Sequence, residues 1–531
     1  MRQKLINKRF DARENEAIKP ESGKMAERSA GRNAQESMAV QDSVEMLSLS
    51  SELEKFKAGI DLKNEDLLNY SFETIEQNDP FSLSSLLFNP EISDDEWMLG
   101  LKYHSKMLTN ILLNNRLDEF GNYLKKLGTP DLTKSTLVKL DHKSFLQEFL
   151  QLAILIEHST IPPYLTALYS IQDGTNAISS QIIRSVAVEE MLHMIMVCNV
   201  MNALDITPSV NQRQNYPTYP MKLPLNVDFY VGLEKFSSNS IATFIAIESP
   251  SNSMIKAPKS DHVPQKIALM SRQKKNVEQA DHWQFTSLEH FLTTHVNTIG
   301  EFYDVLFFFI VVFQVLDFYQ IHKRFPTSFE EIEKGGIFNG KKDKQISPEQ
   351  YYGSGGKLHT VEGLLGVIDV FQEIKGQGEG ADDSIFDVDP SQFEEGAELA
   401  HYFRFKELFH EHFYIGGNYE PFKDENGMMP VTTPPVGKEL PVDWDAAYPI
   451  RPNSKLRDYE KQPLLYLQAE TFNKTYKQLL DAIQKAVEGN TKELEKSILY
   501  MYALKEQAVE LMKQPLNKQE NAAPTFEYPE D

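Results

Sequence analysis

The spacing of apolar residues along this chain predicts helices over most of its length. Apolar positions that recur every three to four residues predict one helix from about Asp141 to Ser170 and a second from about Ala177 to Leu204. Further helices are expected over about 288–323, 358–374, 390–413, 466–488 and 491–513. A shorter helix is expected in "NSIATFIAIESP", between the second and third long helices. The pattern therefore predicts a mainly α-helical protein.

Breaks in this pattern divide the chain into regions. Stretches rich in proline and asparagine, such as "TPSVNQRQNYPTYPMKLPLNVDFYVGL", are typical of loops and insertions. We predict a flexible polar arm at 1–50, an N-terminal helical region at 51–135, a helical bundle at 136–415 with an insertion at about 205–280, a C-terminal wrap and helices that pack on the bundle at 416–515, and a polar tail at 516–531.

Composition and charge exclude several classes of protein. The 531 residues carry a formal net charge of -23, which argues against non-specific binding to nucleic acid or to anionic membranes. The single cysteine, Cys198, excludes an internal disulfide framework, and we expect it to be inert packing. The N-terminus has no apolar signal segment, and the longest apolar run, Val305–Phe313, is too short to cross a bilayer. We therefore expect a cytoplasmic protein without a membrane span.

Two acidic residues lie within otherwise apolar helical stripes. Glu157 shares a helix face with Leu150, Ala153 and Ile161, and Glu301 stands in the same way in "TIGEFYDVLFFFI". An ionised carboxylate in apolar surroundings is costly unless something pairs with it. We therefore expect a metal ion to be the partner of these carboxylates.

Three Glu-x-x-His motifs strengthen that interpretation, because residues three apart on a helix lie on the same face. They are Glu190–His193, Glu398–His401 and Glu407–His410. Glu157 precedes the first pair on its own helix, and Glu301 precedes the later pairs in the same way. The order Glu, Glu-x-x-His, Glu, Glu-x-x-His is the ligand plan of a carboxylate-bridged dinuclear site in a four-helix bundle.

The two later motifs cannot both face the same core, because their histidines lie nine residues apart on one predicted helix. The Glu398–His401 face continues to apolar residues, whereas the Glu407–His410 face carries Arg404 and Glu411, which suit solvent better. We choose Glu398–His401. Glu379, in "GQGEG", is a rival ligand that we place in a loop.

Other residues near the predicted site could have either a functional or a purely structural role. His158 points about 100° away from Glu157 on an ideal helix, so we expect it to be a supporting or structural residue. Pro162–Pro163 predict a kink that either opens the bundle to substrate or only serves packing. Tyr164 and Tyr169 either line a substrate cavity, stabilise a one-electron intermediate or pack in the core.

The predicted ligand set indicates which metal to expect. We assign both metal binding and catalysis to Glu157, Glu190, His193, Glu301, Glu398 and His401. Four carboxylates and two imidazoles favour two iron ions, with manganese as the alternative, over zinc. Two adjacent redox-active ions predict an oxidoreductase that uses dioxygen or peroxide as co-substrate.

The residues around these motifs resemble a known family. "IEHSTIPPYLTALYSI", "EEMLHMIMVCNVMNAL", "YPMKLP", "FIAIESP", "TIGEFYDVL", "QGEG" and "ELAHYFRFKEL" together look like the ferritin-like domain of iminophenyl-pyruvate dimer synthases, which include enzymes of violacein- and rebeccamycin-type bisindole biosynthesis. The resemblance covers about residues 140–515, including the closing helices. It implies a ferritin-like four-helix bundle with long insertions and extra N- and C-terminal helices.

The resemblance also implies a function. The family's iron-dependent enzymes couple two amino-acid-derived imines that a partner oxidase forms from tryptophan. Its metal ligands carry over onto Glu157, Glu190, His193, Glu301, Glu398 and His401. Residues 1–135 lie outside the resemblance, and the bisindole enzymes are longer. The resemblance is therefore compatible with a different substrate.

We therefore expect a di-iron oxidoreductase of secondary metabolism that acts on a small aromatic or amino-acid-derived metabolite. One alternative is a dimanganese enzyme that disproportionates peroxide, and another is a non-catalytic binding or scaffold protein. Iron storage is disfavoured because long insertions would obstruct the packing of a ferritin shell. The expected partners are a small-molecule substrate and an amino-acid oxidase, and the sequence is compatible with either a monomer or a homo-oligomer.

Overall fold

A computed structural model gives the fold of the protein and describes residues 101, 104, 105 and 108 and the segments 141–250, 288–351, 355–379, 385–390, 397–414 and 434–530. The polar arm predicted at 1–50 and nearly all of the helical region predicted at 51–135 lie outside the described residues.

Helices make up most of the described chain, which confirms the mainly α-helical prediction. In chain order they are α1 (His142–Ser170), α2 (Ala177–Ala203), α3 (Ser238–Ile247), α4 (Leu288–His295), α5 (Ile299–His322), α6 (Leu364–Glu379), α7 (His401–His410), α8 (Pro463–Val487) and α9 (Leu494–Met512). Short 3-10 turns lie at Arg213–Asn215, Lys342–Lys344, Pro348–Gln350, Leu456–Tyr459 and Thr491–Glu493. Two short strands, β1 (Phe386–Pro390) and β2 (Ala397–Leu399), pair antiparallel just before α7.

Four long helices form a bundle. Helix α1 packs on α2, α2 on α6, α6 on α5, and α5 on α1, which closes the ring. Aromatic side chains fill its centre: the rings of Phe149 and Phe302 lie 5.0 Å apart, and those of Tyr303 and Phe371 also lie 5.0 Å apart. Helix α5 is apolar on nearly every side because neighbouring elements cover it, and α1 is buried in the same way from Ile156 onward.

Helix α1 continues through its two prolines. Pro163 has no N–H group to bond the carbonyl of Ser159, four residues earlier, and the hydroxyl of Tyr219 donates to that carbonyl at 2.8 Å instead. Both prolines are buried. A residue of the insertion after α2 thus replaces the hydrogen bond that the helix loses at Pro163, and the prolines are packed inside the protein.

Two predicted helices differ from the structure. The third long helix is interrupted: α4 ends at His295, and Thr298 caps the start of α5 by accepting a hydrogen bond from the backbone N–H of Glu301 at 3.1 Å. The helix predicted at 390–413 begins only at His401, because the residues before it form β2. Both differences move a predicted ligand from the middle of a helix to its margin or outside it.

The short helices α3 and α7 pack together at the side of the bundle. Helix α3 also contacts α1, and α7 also contacts α2 and α6. The rings of Tyr164, Phe244 and Phe405, one from each of α1, α3 and α7, lie 4.6 to 5.4 Å apart. This cluster holds the end of α3 and the start of α7 against the bundle.

The C-terminal helices cover another side. Helices α8 and α9 pack on each other, α9 contacts α1, and α8 contacts α2. Phe526, in the segment predicted as a polar tail, is buried with its ring 4.8 Å from that of Phe472 of α8.

Two helices, α2 and α5, are long and apolar enough to cross a membrane by length and composition. Their most apolar windows are 89% buried inside the protein. Such burial is typical of core helices, because a packed interior selects the same residues as lipid.

Candidate metal centre

Glu157 lies deep inside the bundle, on α1. Its side chain is 1% exposed, and its Oε1 accepts a hydrogen bond from the hydroxyl of Tyr303 on α5. Its Oε2 lies 3.3 Å from Nδ1 of His193 on α2. One carboxylate oxygen is therefore held by a tyrosine, and the other faces a histidine.

Glu190 and His193 come from one face of α2, as the Glu-x-x-His spacing predicts. Oε1 of Glu190 lies 3.7 Å from Nδ1 of His193, and Oε2 lies 3.0 Å from the hydroxyl of Thr160. Glu190 is 2% exposed, so its negative charge is removed from bulk water.

Glu248 and His401 complete the cluster from the two short helices. Glu248 follows the last residue of α3, and His401 is the first residue of α7. Nδ1 of His401 lies 3.0 Å from Oε1 of Glu190 and 3.5 Å from Oε2 of Glu248. The hydroxyl of Tyr164 donates to the other oxygen of Glu248.

These residues form two groups that share Glu190. In the first group, ligand atoms of Glu157, Glu190 and His193 lie within 4.8 Å of one another, and in the second those of Glu190, Glu248 and His401 do so. The two imidazole rings face each other at 5.7 Å, with 24° between their planes. Each group has a tyrosine-held carboxylate, a histidine and the shared carboxylate.

Both histidines are oriented through the nitrogen that points away from the cluster. Nε2 of His193 lies 2.8 Å from Oε1 of Gln377, whose amide nitrogen donates in turn to Glu373 at 2.8 Å. Nε2 of His401 donates to Glu189 at 2.7 Å, since a carboxylate can only accept. Each Nδ1 is thereby left with a lone pair for a metal ion.

Glu189 is itself neutralised by a buried arginine. Arg404 is fully buried and donates to Glu189 at 2.9 Å. Burial alone would raise the pKa of Glu189, but the Arg404 guanidinium and the His401 ring lower that pKa to about 2. Glu189 therefore stays ionised beside His401.

The crowded carboxylates make the cluster attract positive charge. Burial and the charge of Glu248 raise the pKa of Glu190 to about 7. Burial alone would lower the pKa of His193, but hydrogen bonding to Glu157 and the charge of Glu190 raise it to about 9. Either protons or metal cations can compensate these carboxylates.

A small cavity reaches the cluster. Its volume is about 20 Å³, and its lining includes Glu157, Glu190, Glu248, Lys375 and Glu379. Glu379 lies at the end of α6, where Oε1 accepts a hydrogen bond from the N–H of Gly300 at 2.9 Å. Burial raises the pKa of Glu379 to about 7. The expectation that Glu379 lies in a loop was wrong, because it is the last residue of α6.

Glu301, predicted as a ligand, lies outside the cluster. It belongs to the first turn of α5, and its Oε2 accepts a hydrogen bond from the backbone N–H of Asn297 at 2.9 Å. The sequence Thr298-Ile-Gly-Glu301 is the Thr-x-x-Glu signature of a helix start, which explains this position.

Glu398 does not join the cluster either. It lies in β2, its side chain is 30% exposed, and its Oε1 is 3.9 Å from Nη1 of Arg404. The predicted Glu398–His401 pair therefore does not share a helix face, although His401 does reach the cluster. Glu407 is fully buried and accepts a hydrogen bond from the N–H of Tyr414 at 2.9 Å, while His410 is exposed. The expectation that Arg404 and Glu407 face solvent was wrong.

Sequence reasoning missed Glu248 and Glu189. Glu248 ends the apolar run "FIAIE" directly before Ser249 and Pro250, so the sequence does mark it as the end of a helix. A search for Glu-x-x-His pairs cannot find Glu248, because no histidine stands three residues after it. Glu189 belongs to no Glu-x-x-His pair, because Leu192 stands three residues after it.

A match to a known protein family agrees with this architecture. Residues 150–410 match the family model described as Ferritin-like. This region is a ferritin-like domain. A crystal structure of a ferritin like protein from Caulobacter vibrioides is similar to the chain at 18% sequence identity and a TM-score of 0.39, covering 71% of this chain and 96% of that chain. No curated protein matches the chain.

The residues of the ferritin-like domain fit a pair of metal ions. Nδ1 of His401 is buried without a hydrogen-bond partner, although it lies between two carboxylates. A buried nitrogen without a partner is costly unless it binds an ion. Glu157, Glu190 and His193 would hold one ion, and Glu190, Glu248 and His401 the other. The narrower resemblance to iminophenyl-pyruvate dimer synthases stays a prediction.

Proposed function

We propose that the protein is a dinuclear non-haem iron oxidoreductase that acts on a small aromatic or amino-acid-derived, imine-type metabolite of secondary metabolism. The position of Glu190 carries the proposal, because Oε1 of Glu190 lies near Nδ1 of both His193 and His401. A carboxylate shared by two ligand groups is the central requirement of a carboxylate-bridged dinuclear site.

The donor set supports iron. Three carboxylates and two imidazoles supply mostly oxygen ligands, which suit iron or manganese better than zinc, and among the described residues no thiolate is near them. Two bound iron ions would supply electron exchange with dioxygen or peroxide.

The protein's own side chains would hold the ligands in place during turnover. Burial and neighbouring carboxylates raise the pKa values of Tyr164 and Tyr303, so both hydroxyls stay protonated and donate to Glu248 and Glu157. Each tyrosine fixes one carboxylate oxygen and leaves the other oxygen facing a histidine. The apolar helices around the cluster exclude bulk water.

The cavity at the cluster supports the assignment of a small co-substrate. A volume of about 20 Å³ accommodates roughly one molecule of the size of water, so dioxygen or peroxide is of suitable size. Lys375 lines the same cavity and pairs with Asp304 at 2.5 Å. That pairing neutralises its ammonium group inside the protein, and a partner amino-acid oxidase would supply the organic substrate.

Metal analysis and oxygen uptake test the proposal. Protein purified from iron-supplemented cells, or loaded anaerobically with ferrous ion, should hold about two irons per chain. Exposure to oxygen should then produce oxygen uptake that the Glu190→Ala variant lacks. Glu398→Gln, which changes a carboxylate outside the cluster, should behave like the wild type.

Other outcomes would support the alternative functions. Strong oxygen evolution from peroxide by the manganese-loaded protein, without an organic substrate, would favour peroxide disproportionation. Near-zero metal content after careful loading, together with unchanged behaviour of a variant carrying both Glu190→Ala and His193→Ala, would favour a scaffold.

A further inference from the structure

A second, larger cavity lies between the bundle and the C-terminal helices. Its volume is about 140 Å³, and α1, α2, α8 and α9 line it together with Gln350 and Tyr351. It shares no lining residue with the cavity at the metal centre. The metal site therefore leaves this cavity unexplained.

The cavity has an apolar floor and a half-exposed mouth. Buried aliphatic side chains form the floor: Ile161, Leu165, Leu192, Ile195, Leu479, Leu480 and Ile483. Half-buried side chains of α2 and α9, among them Val188, Met191, Ile498 and Met501, surround the mouth. No lining residue is an Asp, Glu, Lys or Arg. A charged ligand would lose its hydration there without gaining a partner.

The polar residues on the floor are already bonded to protein groups. Nδ1 of His158 lies 3.1 Å from the carbonyl oxygen of Asn215 and therefore carries the proton. Nε2 of the same ring then accepts a hydrogen bond from the hydroxyl of Tyr476. Both nitrogens of His158 and the hydroxyl of Tyr476 therefore have hydrogen-bond partners within the protein, and a ligand does not have to supply any.

The three polar residues at the rim are bonded in the same way. The side chain of Gln350 bonds a backbone N–H at 2.9 Å and a threonine hydroxyl at 2.6 Å. The hydroxyl of Tyr351 donates to a carbonyl at 2.9 Å, and that of Ser497 donates to a carbonyl one turn earlier. The cavity thus presents apolar surface and polar groups that already have partners.

We propose that this cavity binds one small, uncharged aromatic molecule of about the size of toluene. An engineered apolar cavity of about 150 Å³ binds benzene, which is close to the volume found here. Three methionines in the lining, Met191, Met194 and Met501, offer sulfur contacts to an aromatic ring. The proposal does not depend on a metal ion, because none of the residues that would hold one lines the cavity.

Fluorine NMR of fluorobenzene with the full-length, metal-free protein tests this site. The wild type should bind the probe saturably. Met501→Trp fills the cavity, and Ile498→Lys places a charge at its mouth, so each should weaken binding at least tenfold. Leu499→Trp is the matched control: this residue is on the same helix but 70% exposed and outside the lining, so its variant should bind within twofold of wild type.

Three results would overturn the proposal. The first is undiminished binding to Met501→Trp and Ile498→Lys when circular dichroism shows that both are folded; if only one folds, that variant decides. The second is competition by benzoate or benzylamine as strong as that by toluene. The third is absence of saturable probe binding to the wild type. A dimer, seen by sedimentation, that Met501→Trp abolishes would then assign the mouth to a second copy of the chain.

Discussion

Glu189 holds His401 in the orientation that the metal site requires. Nε2 of His401 lies 2.7 Å from one oxygen of Glu189, and Arg404 donates to the other oxygen at 2.9 Å. All three side chains are at most 1% exposed. Two adjacent residues of α2 thus act differently: Glu190 faces the cluster, and Glu189 fixes the tautomer of a histidine within it.

Glu189→Gln is expected to weaken the binding of one metal ion. The neutral amide no longer stabilises the N–H at Nε2 of His401, so the ion held by Glu190, Glu248 and His401 should bind about 10 to 100 times more weakly. The other ion should be retained. Anaerobic titration with ferrous ion would show the second equivalent binding only at higher concentration.

Glu398→Gln is the control for that variant. It also removes a negative charge near Arg404, at 3.9 Å, whereas the ring nitrogens of His401 lie against Glu189, Glu190 and Glu248. Its titration should match the wild type. Equal losses in both variants would mean that the charge on Arg404, and not the orientation of His401, determines affinity.

A second prediction separates Glu248 from Glu301. Glu248→Gln removes a carboxylate from the cluster and should lower the metal content from about two ions to about one per chain. Glu301→Gln should leave the content unchanged and lower the free energy of unfolding by about 0.3–1 kcal/mol, because a negative charge is lost from a helix start. Metal analysis and urea unfolding measure both; the reverse pattern would restore Glu301 as a ligand.

The sequence predicted half of the site well because two helices carry it. The long apolar patterns of α1 and α2 defined their ends to within a residue or so, and helical spacing then placed Glu190 and His193 on one face. Glu157 could be singled out because a carboxylate inside an apolar helix needs a partner. Local periodicity was sufficient for these three residues.

The other half of the site depends on tertiary packing, which the periodicity of apolar residues does not reveal. Glu248 and His401 stand at the ends of short helices that an aromatic cluster holds against the bundle. Arg404 looks like a surface residue in the sequence, because its buried partner Glu189 is 215 residues away. Only the error at Glu301 was avoidable, since the Thr-x-x-Glu signature already indicated a helix start.

Gly356→Ala should disturb the metal site through Gln377. Gly356 has a φ of 68°, and an added Cβ would lie 2.1 Å from the side-chain nitrogen of Gln377. The side-chain oxygen of the same residue orients His193. The displaced glutamine should weaken metal binding, and the backbone strain should cost about 1–2 kcal/mol. Isothermal titration and thermal unfolding measure the two effects.

Gly174→Ala separates strain from contact. Gly174 has a φ of 84°, but an added Cβ would meet nothing within 4 Å. This variant should lose similar stability and keep wild-type metal affinity. If it loses affinity to the same extent, general destabilisation and not the displacement of Gln377 explains the Gly356→Ala result.

Cys198 reports on the opening of the helix that carries Glu190 and His193. The thiol is fully buried on α2, and burial raises its pKa. N-ethylmaleimide should therefore leave the native protein unmodified until the helix opens, and should label one thiol per chain in guanidinium. Because a ligand that binds only the folded state suppresses opening, manganese at about 100 times its dissociation constant should slow labelling by about 100-fold. Mass spectrometry gives both rates, and labelling unaffected by manganese would show that α2 opens without releasing the metal.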